Sequence, residues 1–367
     1  MAAKVRLGLI GLSAERGWGS TAHIPAIRAL SNEIEFVGVA NRSHASAQAA
    51  VQALGMGRAF DDVDTLVASP DVDAVVVTVK VSRHRDLVGR ALEAGKHVFC
   101  EWPLGNSVAE AEELASLAKQ RKVVAIIGTQ ALVSPEIQFL RDLLTDGYLG
   151  DLRSATFLGS GQTWGDDVTS SEAYAMDPKN GATLLSVMAG HAFSALQYVL
   201  GPLASIGGHL AQRQFVARVQ ETGEMIPMLT PDQMVAAGKF ANGVPLAFQL
   251  RGGLPCGDRL LWEIGGSKRD LRIAPRPGEG PVVNISPLKI ESCERGSTNF
   301  AEMKVPRSYY GDISDLPSCA RNVFYMYRLF VGDIREGKKQ SPNFDDALAL
   351  HKTIEKFLRV GEHKSWS

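Results

Sequence analysis

From Val5 to Ile127 the chain alternates short apolar runs with helix-patterned stretches, and this rhythm limits the possible folds more than any other feature of the sequence. The apolar runs are Val5 to Gly11, Ile34 to Ala40, Asp73 to Val79, His97 to Cys100 and Val123 to Ile127. Between them, apolar residues recur at helical spacing over Ala22 to Leu30, Ala45 to Leu54, Arg83 to Ala94 and Val108 to Lys119. Strand, helix and strand in succession fold as a parallel pair with a crossover. The repeated unit therefore predicts an α/β Rossmann domain, a doubly wound parallel sheet, over residues 1–128.

Such sheets bind ligands outside the carboxyl ends of their strands. The first turn reads Gly11-Leu12-Ser13-Ala14-Glu15-Arg16-Gly17-Trp18-Gly19. Gly11 stands where the backbone must bend sharply and let a pyrophosphate approach the amides of a helix N-terminus. The spacing departs from G-x-G-x-x-G, because Ser13 takes the second glycine's place and Gly17 and Gly19 arrive late. A plain tight turn would look the same in isolation, and it is the surrounding strand–helix pattern that makes a nicotinamide dinucleotide the expected ligand. Trp18 interrupts the turn and offers an apolar wall to the nicotinamide. At the end of the second strand stand Asn41, Arg42 and Ser43. No carboxylate is there to bond the ribose 2′-hydroxyl of NAD, Arg42 can pair with a 2′-phosphate, and Ser43 and His44 can donate hydrogen bonds. NADP is the expected cofactor, with NAD as the alternative.

Beyond Pro135 the rhythm changes. After one more helix, predicted strands follow one another over Leu152 to Leu158, Ala204 to Leu210, Gln233 to Phe240, Leu246 to Arg251 and Leu260 to Ile264. Consecutive strands indicate an α+β domain with a large, mostly antiparallel open sheet over residues 129–367. A helix from about Gly181 to Leu200 interrupts them. Helices over Cys319–Glu336 and Phe344–Val360 end the pattern and could pack back on the first domain, while Pro275 to Glu302 reads as irregular loop.

With Lys plus Arg at 39 against 40 for Asp plus Glu among 367 residues, the chain lacks the charge to hold nucleic acid or an anionic membrane nonspecifically. Cys100, Cys256, Cys293 and Cys319 lie far apart, without the spacing of a zinc or redox site. No metal is expected, and the absence of a signal-like or membrane-spanning apolar run fits a cytoplasmic protein.

Three further segments carry a family likeness: Val75 to His84, the run Glu93-Ala94-Gly95-Lys96-His97-Val98-Phe99-Cys100-Glu101-Trp102-Pro103-Leu104, and the helix containing Gly190-His191. Together they resemble the glucose–fructose oxidoreductase, inositol dehydrogenase and rhizopine-catabolism family, whose members commonly oxidise or reduce sugars and cyclitols. The late-glycine turn, His23-Ile24-Pro25-Ala26-Ile27, Glu101-Trp102 and Gly147-Tyr148-Leu149-Gly150-Asp151 resemble a branch that includes a fungal galactose-regulon repressor. The resemblance implies an oxidoreductase transferring hydride between the nicotinamide and a sugar or polyol. The branch implies the alternative, a dinucleotide-bound sensor or regulator of transcription.

Family enzymes carry lysine where this chain has Trp102, whose indole cannot exchange a proton at neutral pH but can donate a hydrogen bond or stack on a sugar face. They also tend to carry aspartate where Val187 stands, and often an acidic residue at Ser194. What the resemblance carries over is His191 as general base, for which an imidazole is suited, although a lone histidine is as readily a packed one. Lys80, in the loop after the Val75 strand, is the candidate substitute for the missing lysine or a phosphate ligand. Thr78, Val79, His84, Glu101 and Gln130 join Gly11, Leu12, Ser13 and Gly17 as expected cofactor contacts, with His84 also able simply to brace its helix. Trp164, Tyr174, Asp177 and Lys179 are expected beside the substrate, with solvated or structural roles equally open. The resemblance further implies a homodimer or homotetramer joined through the open sheet.

Overall fold

The computed structural model describes residues 3–13, 17–254, 256, 259–311, 313 and 316–362; Ala14, Glu15 and Arg16 of the first turn lie outside the described residues. Two compact units form, Met1–Gln130 with Asp315–His351, and Ala131–Ser314 with Lys352–Ser367.

The first unit contains β1 (Val5–Ile10), α1 (Ile24–Ala29), β2 (Ile34–Ala40), α2 (His44–Leu54), β3 (Arg58–Ala59), α3 (Val63–Ala68), β4 (Ala74–Val77), α4 (His84–Glu93), β5 (His97–Glu101), α5 (Val108–Arg121) and β6 (Ala125–Gly128). The sheet is parallel throughout, in the order β3-β2-β1-β4-β5-β6. Strand order reverses between β1 and β4, the switch point at which such sheets open a crevice. β4 is buried at every position, Ala74 to Val77, as expected of a central strand covered on both faces.

The second unit adds α6 (Pro135–Thr145), β7 (Leu152–Ser160), β8 (Asp167–Val168), α7 (Gly190–Leu200), β9 (Leu203–Ala211), β10 (Val216–Val219), β11 (Met225–Pro227), β12 (Gln233–Phe240), β13 (Pro245–Arg251), β14 (Leu260–Gly266), β15 (Arg269–Pro275), β16 (Leu288–Glu294), β17 (Ala301–Met303) and α8 (Arg307–Tyr310). Its eight-stranded sheet runs β17-β16-β15-β14-β7-β13-β12-β9, antiparallel except for the β13–β7 pair. A separate small sheet has the order β11-β10-β8. Alternation sets one face: Met234, Ala236, Leu246 and Phe248 are buried, whereas Val235, Ala237 and Ala247 are exposed.

The chain then supplies α9 (Ser318–Glu336) to the first unit, and α10 (Phe344–Glu362) begins there. Among the described residues no helix is long and apolar enough to cross a membrane. Two sequence expectations need correction. Pro275 to Glu302 is not all loop, because β16 lies within it and pairs over seven residues with β15, its short alternation of Leu288 and Ile290 with Lys289 and Glu291 being diluted by neighbouring glycine and proline. The helix expected from Gly181 starts later, with a π-helical stretch at Leu184–Ala189 capped by Thr183.

Candidate functional site

The first turn is built by close approach. Gly11 has φ +95°, and a Cβ there would overlap the Val79 side chain. Only glycine satisfies both conditions. The Leu12 amide donates to Asn41 Oδ1 at 2.8 Å, and Asn41 Nδ2 donates to the Leu12 carbonyl at 2.8 Å, so Asn41 pins the turn to the end of β2. Thr78 Oγ1 donates to the Gly11 carbonyl at 3.1 Å from the end of β4. A side chain at Gly19 would overlap Leu12, and Ser20 Oγ donates to the Ser13 carbonyl. Trp18 precedes a π-helical turn, Gly19–His23, and its buried indole N–H has no hydrogen-bond partner among the described residues. A buried donor left unpaired is costly, so this N–H fits a site completed by a ligand acceptor.

A cleft of about 470 Å³ opens beside this turn and brings together Gly11, Asn41, Arg42, Val79 and Lys80. Arg42 is exposed there. Ser43 caps α2, accepting from the Ser46 amide at 3.3 Å, and His44 Nδ1 lies 3.1 Å from Asp61 Oδ1. Asp62, Asp64, Arg83 and Arg90 also line the cleft, which sequence reasoning missed because they follow β3 or lie on the helix after β4. Asp64 is ion-paired, whereas Asp62 keeps its negative charge. The Thr65 amide donates to Asp62 at 2.7 Å, and that backbone hydrogen bond holds the Asp62 carboxyl below its ordinary range. Arg90 spans Asp64 at 3.0 Å and Asp86 at 2.8 Å.

At the ends of β5 and β6 a buried polar chain forms. Tyr327 on α9 and His23 are both fully buried, with Tyr327 Oη 2.7 Å from His23 Nδ1. His23 Nε2 lies 2.9 Å from Glu101 Oε1, and Gln130 Nε2 donates to Glu101 Oε2 at 2.6 Å. A carboxylate only accepts, so His23 donates from Nε2, and in the neutral ring Nδ1 is left as the acceptor for the tyrosine hydroxyl. Burial pushes the Tyr327 hydroxyl well above its ordinary range, which keeps that proton in place. A Cβ at Gly128 would overlap the Glu101 carboxylate.

Trp102 is 5% exposed and tilts against His351, ring centroids 4.7 Å apart. Burial lowers the His351 pKa to about 4, leaving the ring neutral. His84 is buried with Nδ1 2.7 Å from the Pro103 carbonyl and Nε2 3.0 Å from that of Val79, so it ties the loop after β4 to the segment after Trp102; burial pushes its pKa down. Lys80 stands at the start of a short 3-10 turn, Val81–Arg83.

In the second unit, Trp164 adopts φ +63° and its buried indole N–H donates to the Ala175 carbonyl at 3.2 Å. Asp177 accepts from the Lys179 amide at 3.0 Å, and Asn180 Nδ2 donates to the Tyr174 carbonyl at 2.8 Å, so Trp164, Tyr174, Asp177 and Lys179 share one loop cluster. His191 sits on α7, 8% exposed, in a recess with Ser160, Met188, Leu250 and Asn284. Among the described residues no His, Cys, Asp and Glu cluster could hold a metal.

The model of the oxidoreductase family with an NAD-binding Rossmann fold matches residues 5–129, and that of the Gal80p C-terminal domain matches residues 135–275. Dehydrogenase aclE of Aspergillus oryzae is 30% identical over 317 residues, covering 81% of this chain and 83% of that protein. The chain belongs to this oxidoreductase family. Its likeness to the galactose/lactose metabolism regulatory protein of Saccharomyces cerevisiae, 28% identical over 303 residues, covers 77% of this chain and 70% of the regulator and places it in the Gal80-like branch. Levoglucosan dehydrogenase, solved with NADH and levoglucosan, shares the fold with a TM-score of 0.85 at 18% identity, over 99% of this chain and 98% of that one.

Proposed function

We propose that the protein is an NADP-dependent oxidoreductase acting on a sugar- or polyol-like substrate. The observation that carries this reading is a built cleft at the glycine turn after β1, in a chain whose likeness to a dehydrogenase runs through 83% of that relative. Gly11, Leu12, Ser13 and Gly17 would form the phosphate turn, held by Asn41 and Thr78. Arg42 opens on the cleft and Asp64 is ion-paired with Arg90, which supports a ligand bearing a 2′-phosphate. Ser43, Val79, His84, Glu101 and Gln130 frame or brace that site.

The nicotinamide, when bound, exchanges a hydride with a carbinol carbon. His191 takes up or returns the hydroxyl proton in this reading, and Lys80 supplies the ammonium that Trp102 cannot. Trp102 and Trp164 offer ring faces, and Tyr174, Asp177 and Lys179 hydrogen bonds, to a polyol. Val235, Ala237 and Ala247 on the open sheet face support a homo-oligomer, and free thiols at Cys100, Cys256, Cys293 and Cys319 support a reducing, cytoplasmic setting.

A second reading, a dinucleotide-bound regulator, is favoured by Trp102 in the lysine position and by the match of residues 135–275 to the Gal80p domain. NADPH and NADH titrations followed by a panel of keto-sugars, aldoses and polyols at the nicotinamide absorbance separate the two. Turnover of any member that falls at least tenfold in His191→Asn supports the enzyme; tight NADPH binding with no turnover supports the regulator.

A further inference from the structure

A second opening in the first unit lies at the amino end of β6, an edge strand of the sheet. It encloses about 480 Å³ and has an apolar floor that includes Ala118, Ile126 and Phe344. Ser341 lines it, is 5% exposed, and its hydroxyl has no hydrogen-bond partner among the described residues. The loop presenting Ser341 is fixed, because the buried Asp333 carboxylate accepts from the Gln340 and Ser341 amides at 3.0 Å each. The first amides of α10 are also taken, since Asn343 Oδ1 accepts from Asp345 at 2.8 Å.

Four lysines ring the opening. Lys119 pairs with Asp345 at 2.6 Å and Lys338 with Glu336 at 2.5 Å. Lys122 and Lys339 have no ion pair among the described residues. Lys122 holds φ +55°, a conformation that favours glycine, so a lysine there is not explained by the turn itself.

An apolar floor, an orphaned hydroxyl and two uncommitted ammonium groups make one kind of site. We propose that this cleft binds a compact organic anion, a carboxylate or phosphate monoester on a short apolar body. Lys122 and Lys339 neutralise the charge, Ser341 Oγ donates to it, and the apolar body lies on Ala118, Ile126 and Phe344.

The test is calorimetric titration of the full chain with hexanoate and hexyl phosphate, each compared with hexanol and inorganic phosphate. Saturable binding of either anion, with hexanol and inorganic phosphate weaker by about tenfold or more, supports the site, and the tighter of the two names the head group. Lys122→Gly, which suits the left-handed backbone and so keeps the fold, combined with Lys339→Gln should weaken the anion by about tenfold or more and leave NADPH affinity unchanged. Ser341→Ala should weaken it severalfold. No binding of either anion overturns the proposal. So does equal binding of hexanol, full binding to the double variant, or displacement of the anion by NADPH.

Discussion

Replacing Tyr327 by Phe removes one oxygen atom from the centre of the first unit and leaves the surrounding rings in place. Tyr327 packs edge-on to His23 and Phe99, centroids 5.6 and 5.2 Å away, so the phenylalanine ring keeps these contacts without opening a cavity of consequence. What is lost is the hydrogen bond between the hydroxyl and His23 Nδ1 at 2.7 Å. His23 is fully buried and cannot turn to another acceptor or donor without releasing Glu101. An unpaired buried nitrogen costs about 1–3 kcal/mol. Urea unfolding, followed by far-UV circular dichroism and by the fluorescence of bound NADPH, should therefore show the dinucleotide unit destabilised by about that amount. In a His23→Leu background the tyrosine hydroxyl has itself lost its acceptor, so adding Tyr327→Phe there should cost nothing or stabilise slightly. A single-variant change below about 0.5 kcal/mol, or the same cost in both backgrounds, refutes the hydrogen-bonded chain as described.

Gly11→Ala must hold φ +95° and force its methyl into Val79; dinucleotide binding, read by fluorescence titration, should fall by about two orders of magnitude. Arg42→Ala should weaken NADPH by about 10–100-fold and NADH by less than about threefold, and equal losses for both would remove Arg42 from cofactor selection. His351 is a base whose folded-state pKa, about 4, lies below its unfolded value, so the unfolded chain binds the extra proton first. Its contribution is intact above the ordinary histidine range and drains away as pH falls from about 6.5 towards 4, by roughly 3 kcal/mol in all. His351→Leu should flatten that part of the stability–pH curve, and an unchanged slope in acid denaturation contradicts the assignment.

The Rossmann half was legible because strand and helix periods alternate cleanly and Gly11 ends an apolar strand; β1, β2 and α1 to α5 lie where the periodicity puts them, apart from α3 and the two-residue β3, which are too short to show a period. In the second half, β12 and β13 were readable from alternation, whereas β16 was hidden by the proline and glycine around it. The cleft was legible where position after a strand alone puts a residue on it, at Gly11, Asn41 and Arg42. It was not legible where residues meet only in space. Asp62, Asp64 and Arg90 reach the cleft from other elements, and nothing in the sequence joins His23 to Tyr327, 304 positions away. Asn41, expected at the cofactor, lines the cleft and pins the turn, and Ser43 caps α2.

Because α9 is part of the first unit, the ribosome delivers that unit in two instalments. The sheet of β1 to β6 emerges early, but the hydroxyl that closes on His23 is made only after residues 131–314 have been translated. At about 5–20 residues per second this is an interval of roughly 10–40 s. During it His23 lacks its partner and Phe99 lacks the Tyr327 and Phe330 rings that cover it. A nascent chain halted before α9 should thus be captured by chaperones and cut by protease, and should ignore NADPH, however complete its dinucleotide motif looks on paper.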